Sequence, residues 1–322
     1  MKGIYFDGEK AVYRTDLPLP AWDETHSLIR VQYANVCSTD REILKGYRPD
    51  FKGVMGYEFV GTVVESTNPD LVGKLVVGEL NEGCHECWYC QHNLEKHCQN
   101  RKAIGIDGHD GCFAEYISLA NHLIHVVPEG LGADQAIFTE PLAAALEICQ
   151  QVHIKPDDQV AVIGDGRLAL FCAQVLSLTG CRLTIYGKHE EKLALFSDFS
   201  STKLISEVRD GKLDPSTEQY DVVVDCTGHP SGLDLSARLV RHRGTIVLKS
   251  TFAGKAYVDM SFFVVNEITI AGSRCGPFEP ALQLLKKDLV HLPPIEVYPL
   301  DKFEDAFASK AFKAGFAPQS ES

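Results

Sequence analysis

Four cysteines, Cys84-x2-Cys87-x2-Cys90-x7-Cys98, form the densest set of metal-binding side chains in this 322-residue chain. Thiolates this close in sequence can converge on one tetrahedral ion, and zinc held by four sulfurs keeps no open position for a substrate. The spacing therefore implies a structural zinc that folds a loop, with the chemistry sited elsewhere. His85, His92 and His97 flank the cysteines. Because four thiolates already complete the shell, these three read as solvated loop histidines.

A second constellation is Gly164-Asp165-Gly166-Arg167-Leu168-Ala169, directly after the apolar run Gln159–Ile163. In a strand–turn–helix unit the first glycine permits the tight turn and the second lets the backbone approach a pyrophosphate. Alanine in the third place allows close helix–strand packing, and the helix N-terminus offers N–H donors to phosphate. Gly164, Asp165, Gly166, Arg167 and Leu168 are thus the expected dinucleotide contacts; the competing explanation is a glycine-rich turn in an unrelated α/β domain. An acidic residue at the end of the next strand would bind the ribose 2′-hydroxyl. The chain has Gly187-Lys188-His189 there, and Lys188 can pair with a 2′-phosphate. NADP(H) is therefore expected over NAD(H). Thr227 and Gly228, Lys249, and Arg274 follow later strands and are expected at the same cofactor.

The elements that must position these groups fall into two textures. Up to about residue 145, short β-like runs (Ser27–Tyr33, Phe59–Glu65, Lys74–Val77, Ala114–Leu119) alternate with glycine and proline, which predicts a mostly β domain. From Ile154, strands at Gln159–Ile163, Arg182–Tyr186, Asp221–Cys226 and Gly244–Leu248 alternate with helical runs. That alternation predicts parallel βαβ units in a doubly wound sheet. The last stretch returns to mixed texture, with helices expected at Ala281–Lys287 and Phe303–Phe312 and a small, polar, frayed tail over Gly315–Ser322.

Composition narrows the function classes. The chain is 45% hydrophobic and 23% charged, as soluble globular proteins are. A net charge of −13 argues against nucleic acid or an anionic membrane as partner. No apolar run approaches the roughly 20 residues that span a bilayer, and Met1–Phe6 enters a strand-like pattern rather than a secretory signal. Eleven cysteines is an odd number, and Cys37, Cys112, Cys149, Cys172, Cys181, Cys226 and Cys275 are scattered through apolar surroundings. Free buried thiols rather than a disulfide framework point to a reducing, cytoplasmic setting.

Cys37-Ser38-Thr39-Asp40, Gly56-Tyr57-Glu58-Phe59-Val60-Gly61, the cysteine lobe, Gly111-Cys112-Phe113-Ala114-Glu115-Tyr116, Glu140-Pro141-Leu142 and the nucleotide fingerprint occur in one order. In this order they resemble the zinc-dependent medium-chain dehydrogenases of alcohol and polyol type, over residues 1 to about 310. The resemblance implies a GroES-like β-rich catalytic domain (1–145, with the zinc lobe at 81–100, and 273–322) around a Rossmann domain (146–272). It implies a structural zinc on Cys84, Cys87, Cys90 and Cys98. It also implies a catalytic zinc on Cys37, on the histidine of a Gly-His-Glu motif, and on Glu140. Here Tyr57 stands where that histidine belongs. Either Cys37, Glu58 and Glu140 hold the zinc with a fourth position open, or the metal is lost and Tyr57 fills its cavity and serves as proton donor. Thr39 is the hydroxyl the resemblance places at the reacting oxygen. The tail lacks the final strand such a domain is expected to have. The implied activity is hydride transfer between NADP(H) and a small alcohol, a polyol or its carbonyl, in a homodimer or homotetramer. A non-catalytic NADPH-binding protein and a zinc-free enone or quinone reductase are the other readings.

Overall fold

Residues 1–209, 219–251 and 255–319 are described in the computed structural model. They fall into two units, Met1–Glu140 with Phe278–Ser322, and Pro141–Pro277.

The first unit is built on a seven-stranded sheet. Its strands run in the order Ile124–Val126, Leu75–Gly78, Glu58–Glu65, His26–Asn35, Lys313–Phe316 and Ile295–Tyr298, and Tyr116–Ala120 also pairs with His26–Asn35. Branched and aromatic side chains such as Ile29, Val31, Val60 and Val63 supply its buried faces. Register fixes what meets at one end. Asn35 lies opposite Glu58 on one side and Gly315 on the other, and the Val36 N–H donates to the Ala314 carbonyl at 2.9 Å. The ends of three neighbouring strands therefore bring Cys37, Tyr57-Glu58 and Lys313 together.

Two expectations about the C-terminal stretch are corrected here. Lys313–Phe316 is a fully buried strand inserted between His26–Asn35 and Ile295–Tyr298, not the start of a frayed tail. Small size at Ala314 and Gly315 is what lets it lie between two partners: a Cβ on Gly315 would meet the Asn35 side chain at 2.5 Å. Ser320–Ser322 lie outside the described residues. The helix expected over Phe303–Phe312 stops at Ala308, because Ser309 turns to ψ 135° and the chain heads into that strand.

The second unit holds a six-stranded parallel sheet ordered Ser201–Leu204, Arg182–Gly187, Gln159–Ile163, Tyr220–Asp225, Val240–Leu248, Thr269–Gly272. In chain order that is 3-2-1-4-5-6, the doubly wound arrangement with its reversal between the first and fourth strands. Val222-Val223-Val224 is buried throughout, as a parallel strand covered on both faces requires. A 13-residue helix, Thr139–Gln151, was not anticipated. Its Pro141 sits in the first turn, where the missing N–H has no intrahelical role, so the Glu140-Pro141 pair opens a helix rather than breaking one.

Candidate active site

Parallel strands carry their C-terminal ends to one edge. Gly164–Leu168, Gly187-Lys188, Thr227-Gly228, Lys249 and Arg274 all follow such ends, so the topology gathers every expected cofactor residue on one side of the sheet. Gly164 has φ +126°, and a Cβ there would sit 3.0 Å from the Cys226 carbonyl oxygen; no other residue fits that turn without strain. Gly166 is different. It is exposed, and an added Cβ would meet nothing within 4 Å. Gly166 is also the N-cap of the Arg167–Ser177 helix and caps it with no side chain. No capping side chain therefore competes with a ligand anion at this helix start, and phosphate has room to approach.

Asp165 organises the neighbouring turn. Its Oδ2 accepts from the Lys188 N–H at 2.6 Å and the His189 N–H at 2.8 Å, and lies 2.9 Å from His189 Nδ1. Burial alone would raise this carboxyl, but the His189 and Lys188 N–H bonds and the His189 ring outweigh it and hold Asp165 below its ordinary value. The Lys188 side chain is left exposed beside this turn. Thr227 is half-buried and exchanges hydrogen bonds with the His229 backbone at 3.2 Å. Lys249 is buried, its ammonium donating to the Ala144 carbonyl at 2.5 Å and to Ser273 Oγ at 3.2 Å, which makes it an internal brace. Arg274 is exposed.

The four lobe cysteines converge: their sulfurs all lie within 4.8 Å of one another. Cys87 and Cys90 Sγ are 3.6 Å apart, close to the ~3.8 Å edge of a tetrahedron with Zn–S near 2.3 Å. The Cys84 and Asn100 N–H groups donate to Cys98 Sγ at 3.4 and 3.3 Å. The Cys90 N–H, then the neighbouring lobe thiols, hold Cys87 down to about 6 against burial, while burial and the same thiol bonds push Cys90 up to about 12. The N–H bonds favour thiolate, the form that binds metal. The donor set fits zinc. His92 stacks on Trp88 and His97 packs beside Tyr89. His85 pairs instead with Glu95 and His122.

In the first unit, Cys37 caps the short Ser38–Ile43 helix, and buried Asp40 accepts the Cys37 N–H at 2.7 Å. Gly56, at φ +88°, turns the chain so that Tyr57 faces this cap; a Cβ at Gly56 would strike the Phe113 ring at 2.3 Å. Tyr57 OH donates to Thr39 Oγ1 at 3.3 Å, and Cys37 Sγ to the same oxygen at 3.9 Å. Burial, then the Glu58 charge, pushes Cys37 up to about 12 against the pull of Lys313. Burial likewise raises Tyr57 well above its usual value, with Cys37 and Glu140 adding to it. Glu58 forms a buried ion pair with Lys313, the two side chains only 2% and 3% exposed. Sequence reading did not single out Lys313. The one signal was a lone lysine in an otherwise small and apolar Ala311–Phe316 run.

These contacts bear on the expected zinc ligands Cys37, Glu58 and Glu140. Among the described residues, the metal-type ligand atoms that gather within 4.8 Å belong to the cysteine lobe and to His85, Glu95 and His122. Glu58 has an ammonium as its partner, and Tyr57 is a neutral phenol. Lys313 would have to release Glu58 before Cys37, Glu58 and Glu140 could share a metal ion.

Comparison with known proteins gives matches over most of the chain. Residues 23–129 match the alcohol dehydrogenase GroES-like domain and residues 168–287 the zinc-binding dehydrogenase domain. The D-arabitol-phosphate dehydrogenase of Enterococcus avium is 29% identical over 312 residues, spanning 91% of this chain and 88% of its own. The sorbitol dehydrogenase of Halalkalibacterium halodurans is 28% identical over 335 residues, covering 96% and 94%. In fold, a zinc-binding dehydrogenase of Sinorhizobium meliloti 1021, solved bound to NADP, superposes with a TM-score of 0.89 at 24% identity, covering 98% of this chain and 99% of its own.

Proposed function

The chain belongs to the zinc-type medium-chain dehydrogenase family, and we propose that it passes hydride between NADP(H) and a small hydroxylated alcohol or its carbonyl, with Thr39 and Tyr57 handling the proton. As an oxidoreductase of the alcohol dehydrogenase type it needs three things: a cofactor seat, a proton path, and a rigid frame for both. The Gly164–Leu168 turn and the Arg167–Ser177 helix start support the seat, and the exposed Lys188 beside the locked turn supports the 2′-phosphate form. Cys84, Cys87, Cys90 and Cys98 are assigned a structural zinc that holds the 81–100 lobe.

The observation that carries the proton reading is the hydroxyl cluster. Thr39 Oγ1 accepts from Tyr57 and Cys37, so both its lone pairs are taken and its own proton is left to point at a third oxygen. In reduction of a carbonyl, the nicotinamide would, when bound, supply the hydride for the carbonyl carbon. Thr39 would give its proton to the developing alkoxide and recover one from Tyr57, whose phenolate must take its replacement from solvent before the next turnover. Oxidation would need Tyr57 as a phenolate, the form burial disfavours, so the chain serves the reducing direction. Burial keeps Tyr57 protonated, although it also makes the phenol a weaker acid, so its part is to restore the Thr39 proton. Polyol and sugar-phosphate dehydrogenases among the relatives favour a polar, hydroxylated substrate.

The test is a NADPH- and NADH-linked screen of aldehydes, ketoses and polyols, with enones alongside, on wild type and Tyr57→Phe. Tyr57→Phe is expected to keep NADPH affinity and lower kcat by roughly 10²–10⁴-fold, the usual worth of a positioned acid. Turnover within a few-fold of wild type, together with a zinc lost on Cys37→Ala, would overturn this reading in favour of a metal-assisted one.

A further inference from the structure

His85, Glu95 and His122 come from three separate places in the chain. His85 lies inside the Cys84–Cys87 turn, Glu95 opens a single-turn helix later in the lobe, and His122 sits in the turn after strand Tyr116–Ala120, outside the lobe altogether. Their ligand atoms nonetheless lie within 4.8 Å of one another. Glu95 Oε1 is 3.1 Å from His122 Nε2 and 3.6 Å from His85 Nε2. The two rings meet edge to face with centroids 4.8 Å apart. The same Oε1 also accepts the Gly83 N–H at 2.8 Å, and Gly83 has no side chain to block it; a Cβ there would meet the Glu95 side chain at 2.4 Å. His85 has φ +59°, an uncommon conformation for a residue with a Cβ.

We infer that His85, Glu95 and His122 form a second divalent-metal site, separate from the four thiolates, which ties the cysteine lobe to the body of its unit. Two imidazoles and one carboxylate are a donor set that zinc accepts, with a fourth position left for water. The geometry is close to what such an ion needs. With metal–ligand bonds of about 2.1 Å, separations of 3.1 and 3.6 Å correspond to angles of about 95° and about 118° at the metal. These bracket the tetrahedral value. Zinc in the thiolate site fixes only the lobe's interior. An ion on His122 reaches across to the sheet, so the second site pins the lobe to the strand Tyr116–Ala120 that precedes it.

The experiment uses the full chain without a histidine tag, dialysed so that only tightly held zinc remains and then titrated with Zn2+ by calorimetry, with metal content read by elemental analysis. One further Zn2+ per chain is expected above the dialysed content. His122→Ala should weaken that binding at least tenfold while leaving the dialysed zinc unchanged. Glu95→Gln should do the same, and it keeps an oxygen for the Gly83 N–H. Cys37→Ala should leave it intact. Uptake that is equal in wild type and His122→Ala, no uptake at all, or uptake lost only in Cys37→Ala would each overturn the proposal.

Discussion

Removing the Lys313 ammonium should destabilise the β-rich unit more than any nearby surface change, because it strands the Glu58 carboxylate in the core. The pair is 3% and 2% exposed, and each member sits on a different strand beside Asn35. Deleting one partner of a buried pair costs about 3–5 kcal/mol, whereas replacing both with apolar side chains of similar volume is often neutral. Lys313→Met is therefore expected to lose about 3–5 kcal/mol, or roughly 6–20 °C in Tm for a unit of this size. Lys313→Met/Glu58→Leu should recover most of that loss. Trp22 and Trp88 both belong to this unit, so urea and thermal unfolding followed by tryptophan fluorescence report on it. A single-mutant loss under about 1 kcal/mol, or a double mutant no better than the single, would refute the reasoning. It would mean that something other than Lys313, such as a bound metal, neutralises Glu58.

Gly166→Ala separates folding from cofactor binding: its Cβ meets no protein atom within 4 Å, so Tm should stay within about 2 °C. NADPH affinity by fluorescence titration should nevertheless fall at least tenfold, because the methyl takes the space expected for the pyrophosphate. Asp165 carries a depressed carboxyl, so its contribution to stability is present above the unfolded value of about 3.9 and is lost as pH falls below it toward the folded one. Asp165→Asn lacks that contribution, so the Tm gap between wild type and variant should be widest near neutral pH and narrow below about pH 4. The variant should also bind NADPH more weakly, since it no longer holds both the Lys188 and His189 N–H groups.

The Rossmann half was legible because its signals are local. Gly164 must be glycine for its turn, Val222–Val224 must be buried on both faces, and the strand–helix alternation sets a parallel sheet. The cysteine lobe was legible for the same reason, since four thiolates within one loop need only a few turns to converge. The expected helix to Phe312 and the expected frayed tail failed where long-range pairing decided the outcome. Nothing local to Lys313–Phe316 says that it must slide between two strands, yet its small residues fit there and its lysine finds Glu58. The Thr139–Gln151 helix was masked by a proline that is harmless only in a first turn.

Spacing and residue type alone determined the dehydrogenase resemblance, the zinc lobe and the nucleotide turn, because each is a short segment whose chemistry is complete within itself. The tertiary structure alone decided the rest. Tyr57 meets Thr39, Glu58 pairs with a lysine 255 positions away, and His85 and Glu95 gather with His122 from outside the lobe. Each of these is an electrostatic or hydrogen-bonded pairing between segments far apart in the chain. A buried charge or donor must find a partner, and only the folded register specifies which partner is within reach.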